Sequence, residues 1–145
     1  MAYLLLALLV LAPLRAAADA LALECLVVPK AALAALVEKV GSLDAALARV
    51  NYPALREAAV GKTFFKGAGV VEWPAEADVG KYRVELSSAD GTVRYHLKLV
   101  PPANELRTLG GGTLTLGADE VWSLPADWQT LDFVVLVRGG NFLQK

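Results

Sequence analysis

The sequence holds few of the side chains that usually carry out covalent chemistry. It contains one His and one Cys among 145 residues, which excludes a disulfide framework and the usual Cys/His zinc sites. Cys25 is therefore expected to be a buried structural thiol. A serine nucleophile would need His96 as its base, and Ser87 is the candidate on the neighbouring predicted strand. No Ser stands in a Gly-x-Ser-x-Gly frame and only Glu85 could orient the pair, so we predict that the chain is not an enzyme and that Glu85 and His96 make a surface contact.

The glycine-containing motifs are incomplete as anion-binding sites. Residues 61–63, Gly-Lys-Thr, resemble the end of a phosphate-binding loop, but Arg56 stands where that motif has its first Gly. The three consecutive glycines at 110–112 precede a predicted strand rather than a helix, so we expect a flexible turn there. The sequence therefore predicts no phosphate-binding site.

Two short acidic stretches are the remaining candidates for a metal site. Glu76 and Asp78 lie in one predicted loop, and Asp119 and Glu120 lie in another. Two such loops at one end of a β-sandwich could together bind Ca²⁺, which takes about six to eight oxygen ligands. Neither loop has the dense Asp/Asn spacing of a dedicated site. Solvated turns are the favoured interpretation, and no metal or cofactor is predicted.

Charge and composition exclude two further classes of protein. The net charge is −1 and the pI is about 5.8, whereas nucleic-acid binding favours a surplus of Lys and Arg. Hydrophobic residues make up 56% of the chain and charged residues 20%, so the chain is not a disordered tail. The length suits one domain of ordinary size, or a small domain with an appendage.

The two parts of the chain differ in composition. The first 60 residues hold 18 of the 25 Ala but only one of the 12 Gly, Gly41. Because Ala and Leu favour helices while Thr and aromatic residues between Gly turns favour strands, we predict an α+β fold. Its parts are a helical segment at residues 21–61 and a small antiparallel β-sandwich at residues 62–145.

Residues 1–20 are predicted to be a signal peptide or a membrane anchor. Residues 2–14 are thirteen consecutive apolar residues, fewer than the ~20 that a membrane-spanning helix needs. Small residues at 16–18 and 18–20 give cleavage patterns before Asp19 and Leu21, although no Lys or Arg precedes the apolar run. The length of the apolar run and the two cleavage patterns favour the interpretation of this segment as an export signal.

The helical segment is predicted to contain three short helices. The first has one apolar stripe, begins after Pro29 and ends at Gly41. Ser42 is a cap for the second helix, and a final turn or two is expected at residues 54–60. The stripe of the first helix consists of Leu33, Leu36, Val37 and Val40.

A β-hairpin around Asp90-Gly91 is the best-specified element of the second part. Both turn positions suit the positive φ angles of a type I′ turn, which pairs Ala89 with Thr92. The predicted inner pairs are Leu86/Tyr95, Val84/Leu97 and Tyr82/Leu99, and the outer pairs are Glu85/His96, Arg83/Lys98 and Ser87/Arg94. The other strands are predicted at residues 62–66, 69–73, 113–116, 131–138 and 141–143.

The segment from Val70 to Leu86 resembles strands B and C of a bacterial fibronectin type III-like domain, with a core Trp73 ending one strand and Tyr82-x-Val beginning the next. Residues 113–116 and 131–138 stand where strands E and F would follow, while Phe133 occupies the region of the usual corner Tyr. The resemblance covers about residues 62–143. It implies a β-sandwich of the kind that serves as a spacer or a binding module.

Two surfaces are predicted to bind a partner, if the chain has one. The first is the basic outer face of the hairpin, where Arg83 beside Lys98 suggests that an acidic group completes the site. The second is the connection that holds two Trp residues, which either cap the end of the sandwich or form an exposed platform. The residues of the two surfaces are Arg83, Arg94, His96 and Lys98, and Trp122 and Trp128.

Together these patterns predict a non-enzymatic binding or structural module of the cell envelope, located in the periplasm, at the cell surface or outside the cell. Its expected partner is a protein of the envelope or cell surface, not a nucleic acid. The alternative is a small subunit of a membrane or envelope assembly, anchored through an uncleaved segment at residues 2–14. A third possibility is a small-ligand carrier with a pocket between helices and sheet.

Overall fold

A computed structural model of the chain describes residues 22–75, 80–101, 107–117 and 120–139. Within these ranges two antiparallel sheets and a layer of helices pack on one another. The strands are β1 (Leu23–Pro29), β2 (Gly61–Phe65), β3 (Ala68–Pro74), β4 (Lys81–Ala89), β5 (Thr92–Val100), β6 (Arg107–Thr115) and β7 (Phe133–Gly139). The helices are α1 (Lys30–Val40), α2 (Leu43–Ala46) and α3 (Tyr52–Ala58), with 3-10 turns at Arg49–Asn51 and Trp128–Thr130.

Several predicted features lie outside the described residues. They are the signal peptide or anchor at 1–20, the acidic residues Glu76, Asp78 and Asp119, and the strand expected at 141–143. None of the helices within the described ranges combines the length and hydropathy that crossing a bilayer requires.

The two sheets form a sandwich-like core. One sheet has the strand order β2-β1-β7 and the other β3-β4-β5-β6, so the second is a meander in which each strand pairs with the next in sequence. One face of the three-stranded sheet packs against the four-stranded sheet, and its other face packs against the helices. Because the helices share this second core, they are an integral layer of the fold rather than an appendage.

The predicted hairpin is confirmed in position and register. Ala89 pairs with Thr92, and the predicted inner and outer pairs all occur between β4 and β5. Asp90 and Gly91 have φ angles of 53° and 80°, as the two-residue turn requires. Turn chemistry and side-chain alternation therefore agree in this part of the chain.

The beginning of the predicted helical segment is a strand, which corrects the interpretation of residues 21–61. β1 is the central strand of its sheet and pairs with both β2 and β7. Six of its seven residues are buried, because one sheet face meets the second sheet and the other meets the helices. A strand that is buried on both faces lacks the alternation of apolar and polar residues that identifies a half-buried strand. The sequence pattern therefore did not distinguish β1 from the helical segment that follows it.

The ends of the first two helices agree with the capping residues in the sequence. Gly41 follows α1 with a φ angle of 102°, the left-handed conformation that suits Gly. The Ala45 N–H donates to Ser42 Oγ at 3.1 Å, so Ser42 caps α2. α1 and α3 bury Leu33 and Leu55 against the three-stranded sheet.

The three glycines at 110–112 lie inside β6, not in the flexible turn expected from the sequence. β6 is an edge strand that is paired with β5. A Cβ atom on Gly111 would stand 2.6 Å from the Tyr95 carbonyl oxygen, and one on Gly112 would stand 3.3 Å from the Tyr95 ring. Gly111 and Gly112 therefore allow β6 to approach β5 closely. The sequence alone shows only a run of residues that commonly form turns.

Candidate functional site

The basic residues predicted as a partner-binding surface lie on the outer face of the four-stranded sheet. Arg83 and Lys98 are direct neighbours across β4 and β5. Arg83 Nε donates to Glu72 Oε2 at 2.6 Å, and Lys98 Nζ donates to Glu85 Oε1 at 2.7 Å. The acidic groups that complete this charge pattern therefore belong to the same sheet, and no partner is needed to supply them.

These contacts stabilise the charged form of both carboxylates. Glu72 also accepts a hydrogen bond from Lys81 Nζ at 2.9 Å. Hydrogen bonds from Lys81 and then Arg83 hold the pKa of Glu72 below its ordinary value, and the hydrogen bond from Lys98 does the same for the pKa of Glu85. The two carboxylates thus stay ionised at neutral pH and keep the basic side chains engaged.

Arg94 and His96 lie on the same outer face and are exposed. His96 is the cross-strand neighbour of Glu85, but the hydrogen bond that Glu85 accepts comes from Lys98 rather than from His96. The structure brings together the four basic residues predicted from the sequence. It places them on a solvent-facing sheet surface on which Arg83 and Lys98 are paired with carboxylates.

The two Trp residues of the predicted second surface are buried. Trp122 is 7% exposed and Trp128 is 6% exposed, and both belong to the core between the helices and the three-stranded sheet. Of the two alternatives drawn from the sequence, packing therefore describes their position and an exposed platform does not.

A buried charged cluster that the sequence did not reveal lies beside Trp122. Glu24 and Arg138 are direct partners across β1 and β7, and their side chains are 2% and 8% exposed. Arg138 Nε donates to Glu24 Oε1 at 2.9 Å, and Tyr52 OH donates to Glu24 Oε2 at 2.5 Å. The Arg138 guanidinium also lies 4.5 Å from the Tyr52 ring centroid and 4.7 Å from that of Trp122.

This cluster ties β1, β7 and α3 together. Burial, and then the hydrogen bond to Glu24, raises the pKa of the Tyr52 hydroxyl, which keeps it a hydrogen-bond donor. Beside it in the sequence, burial and then the charge of Glu24 raise the pKa of Cys25 to about 12. The thiol is buried, as the sequence predicted, and its raised pKa keeps it protonated at neutral pH. The contacts of the cluster are structural.

A cleft at one end of the sandwich is a candidate binding site. It has a volume of about 370 Å³ and lies where the end of β1, the beginning of α1, the end of β3 and the beginnings of β4 and β7 meet. Its apolar walls include Pro29, Trp73, Pro74, Tyr82 and Phe133. Concave, mostly apolar sites with a few polar groups are the usual form of small-molecule sites, and this aromatic cleft is at the lower end of their size range of ~300–1,000 Å³.

Three aromatic rings of the aromatic cleft pack against one another. The ring centroids of Trp73 and Tyr82 are 5.5 Å apart, those of Trp73 and Phe133 are 5.1 Å apart, and those of Tyr82 and Phe133 are 4.8 Å apart. Trp73 is only 6% exposed, yet its Nε1–H has no hydrogen-bond acceptor among the described residues. A buried donor without an acceptor is uncommon in folded proteins.

The polar rim of the aromatic cleft is formed by Lys30 and Asp132. The Lys30 N–H donates to the Asp132 carbonyl oxygen at 2.9 Å, which fixes the beginning of α1 against the chain before β7. Pro29 gives α1 no side-chain cap, and the first turn holds no acidic residue. The N–H groups of this turn, including that of Ala31 in the cleft wall, therefore add positive character to the rim.

Sequence reasoning placed Trp73 and Tyr82 in the core but did not assemble the aromatic cleft. Its walls come from segments near residues 30, 73, 82 and 133, whose meeting depends on β1 being a strand. The sequence signal at this end is Trp73-Pro74, an aromatic residue followed by a residue that has no N–H group to donate to a sheet ladder.

One further cavity and the acidic side chains add no candidate site among the described residues. A larger cavity of about 530 Å³ borders Gly80 and Pro101, next to residues 76–79 and 102–106, which are not described. In the part of the chain that the structure describes, no group of three or more His, Cys, Asp or Glu residues is arranged to hold a metal ion.

Comparison with known proteins gives no assignment. Neither the protein-family models, nor the curated proteins, nor the solved structures include a match to this chain. Its function must therefore be inferred from its own residues and geometry.

Proposed function

We propose that this chain is a non-enzymatic binding module of the cell envelope and that the aromatic cleft is its binding end. The observation that carries the proposal is the position of the cleft relative to the beginning of β1. β1 begins at Leu23 and ends at Pro29 in the cleft wall. Seven extended residues separate the two ends by roughly 20 Å at ~3.3 Å per residue. The cleft therefore lies at the end of β1 away from Leu23, the described residue that follows the predicted export segment in the sequence.

The proposal includes a fibronectin type III-like role, as a spacer that also binds. Two antiparallel sheets packed face to face support it. The strand order is a departure, because β3 to β6 form a meander whereas immunoglobulin-type sandwiches use Greek-key connections. We therefore base the role on the sandwich architecture and the cleft, not on the family's strand order.

The position of the single His supports a binding role over catalysis. His96 stands on the exposed outer face, where the neighbouring Glu85 is engaged by Lys98. The aromatic cleft instead offers packed rings, one ammonium group and one carboxylate, which suit binding by contact and hydrogen bonding.

Cell fractionation with intact-mass measurement of the native protein tests this proposal. We expect a mature chain beginning at Asp19 or Leu21 in the soluble exported fraction. A chain that keeps residues 1–20 in the membrane fraction would favour the anchored subunit of an envelope assembly. The same full chain in the cytosol would contradict the envelope assignment.

A further inference from the structure

The outer edge of β6 is open along most of its length. β6 ends the four-stranded sheet and pairs with β5 alone. Among the described residues, the only further hydrogen bond to its backbone is the one that Ser123 Oγ donates to the Thr115 carbonyl oxygen at 2.8 Å. Residues 107–111 are all exposed. Because an edge strand carries N–H and C=O groups that no neighbouring strand binds, this edge is able to pair with a further strand.

The edges formed by β2, β3 and β7 are covered within the described chain. Hydrogen bonds join β7 to residues 120–123. β2 and β3 are consecutive and pack against each other, so that a Cβ atom on Gly69 would stand 2.6 Å from Phe65 Cβ. β6 instead contains no Pro and one charged residue, Arg107, and its one irregularity is a bulge at Leu109, before the glycines. It therefore lacks most of the features by which edge strands avoid pairing.

Basic groups without an ion pair lie beside β6 on the outer face of this sheet. The carboxylates that the described residues place on this face, Glu72 and Glu85, stand on β3 and β4. Arg94 and His96 stand on β5, next to β6, and neither is ion-paired with a described carboxylate. A Cβ atom on Gly111 would stand 3.1 Å from His96 Nδ1, so the imidazole extends over β6.

A strand added beside β6 would continue the side-chain rows of the outer face. Its outward side chains would lie next to Gly111 and Thr113, two positions apart. The first would meet His96 across Gly111, which has no side chain to separate them, and the second would meet Arg94 across Thr113. Carboxylates at both positions complement this border. Two copies paired through β6 would instead bring the basic groups of both chains toward one seam, which is unfavourable.

From these observations we propose that the edge of β6 binds an extended protein segment with acidic residues at alternate positions. The segment adds a strand to the four-stranded sheet, so that backbone hydrogen bonds hold it while Arg94 and His96 select its side chains. This edge takes an extended chain, whereas the aromatic cleft has the size of a small-molecule site. The inference goes beyond the proposed function and does not depend on the aromatic cleft.

NMR of the full ¹⁵N-labelled chain with a capped synthetic peptide, Thr-Val-Glu-Val-Glu-Val-Thr, tests the inference. We expect the amide signals of Gly110, Gly111 and Gly112 to shift, while the amide signal of Gly69 in β3 and the indole signal of Trp73 stay in place. Replacing both Glu residues of the peptide by Gln should weaken binding by about three- to tenfold, because exposed ion pairs contribute modestly. Replacing both by Lys should abolish binding.

Two N-methylated forms of the peptide test the backbone pairing. One is methylated at the amide of the central Val and the other at the amide of a neighbouring Glu. Successive N–H groups of an extended chain point to opposite edges, so only one of the two methyl groups faces β6. We expect one form to bind about tenfold more weakly than the other. Equal affinity of the two forms would overturn the inference.

Matched variants of the chain test the charge beside β6. Arg94→Gln should weaken peptide binding by about two- to fivefold, whereas Arg49→Gln, at an exposed position of the helix layer, should leave it unchanged. Shifts in β2 or β3 in place of residues 110–112, or equal binding of the Glu and Gln peptides, would contradict the proposal. Sedimentation of the free chain should show no dimer that the peptide dissociates, and such a dimer would assign this edge to a second copy instead.

Discussion

Two Glu–Arg pairs of this molecule have the same chemistry in opposite environments. Glu72 pairs with Arg83 across β3 and β4, and Glu24 pairs with Arg138 across β1 and β7, each as direct cross-strand neighbours. The side chains of the first pair are 32% and 27% exposed, and those of the second are 2% and 8% exposed. Water screens the charges of the first pair. The second pair has lost its hydration, and its two side chains contact each other, the Tyr52 hydroxyl and the rings of Tyr52 and Trp122.

The comparison of these two charged regions with the aromatic cleft indicates which part of the molecule is available to a ligand. On the exposed face the acidic and basic groups compensate one another, and in the buried cluster Glu24 accepts hydrogen bonds from both Tyr52 and Arg138. Both regions therefore hold the fold together. The aromatic cleft differs, because its walls are mainly aromatic rings and Pro residues, with Lys30 and Asp132 at the rim.

The largest effect is expected from removing one member of the buried pair. Arg138→Met should lower the free energy of unfolding by about 3–5 kcal/mol, because it leaves the Glu24 carboxylate buried without its counter-charge. Urea unfolding measures the loss. The double variant Glu24→Gln/Arg138→Met should regain much of it, and Arg83→Met on the exposed face is the matched control with at most about 1 kcal/mol. Equal losses for Arg138→Met and Arg83→Met would remove the distinction between the two pairs.

A smaller effect is expected from Tyr52→Phe, which keeps the ring and removes the hydroxyl that donates to Glu24. A hydrogen bond to a charged group contributes about 1.5–3 kcal/mol, and we expect a loss in that range by urea unfolding. Because the guanidinium of Arg138 still contacts the ring, the variant should remain folded. No measurable loss would mean that the hydroxyl is dispensable to the cluster.

Glu72→Gln should cost at most about 1 kcal/mol, since its contacts with Lys81 and Arg83 are exposed to solvent and screened by salt. The same urea assay, repeated at high salt, should find the difference from the wild type reduced further. A loss as large as that of Arg138→Met would show that the outer face is not an ordinary solvated surface.

The smallest effect is a pH dependence with a defined sign. The pKa values of Glu72 and Glu85 lie below their ordinary value of 4.5 in the folded chain, through hydrogen bonds from Lys81 and Lys98 respectively. Their contribution to stability is therefore present above the unfolded pKa and lost as the pH falls through the lowered folded values. Between about pH 5 and about pH 3, Glu72→Gln/Glu85→Gln should lose less stability than the wild type, measured by urea unfolding. A steeper loss in the variant would contradict this sign.

Elements specified by neighbouring residues were predictable from the sequence. The β4–β5 hairpin follows from Asp90-Gly91 and the alternation around it, and the ends of α1 and α2 follow from Gly41 and Ser42. In each case the determining residues lie within a few positions of the element that they shape.

The rest depended on contacts between distant segments. β1 is buried on both faces and so lacks alternation, and the Glu24–Arg138 pair joins residues 114 positions apart. Without β1 as a strand, neither that pair nor the aromatic cleft could be assembled. The basic outer face was predicted correctly in its geometry, but Glu72, its main counter-charge, lies on a strand whose register the hairpin did not fix.

The most direct test of the central claim asks which region of the chain binds, whatever the ligand is. The full ¹⁵N-labelled chain, mixed with the small-molecule fraction of an extract of its own cells, gives a map of the amide and indole signals that shift. We predict shifts that cluster around Lys30, Trp73 and Phe133, with Arg94 and His96 unmoved. Shifts confined to the charged outer face, with the aromatic cleft unchanged, would contradict the account.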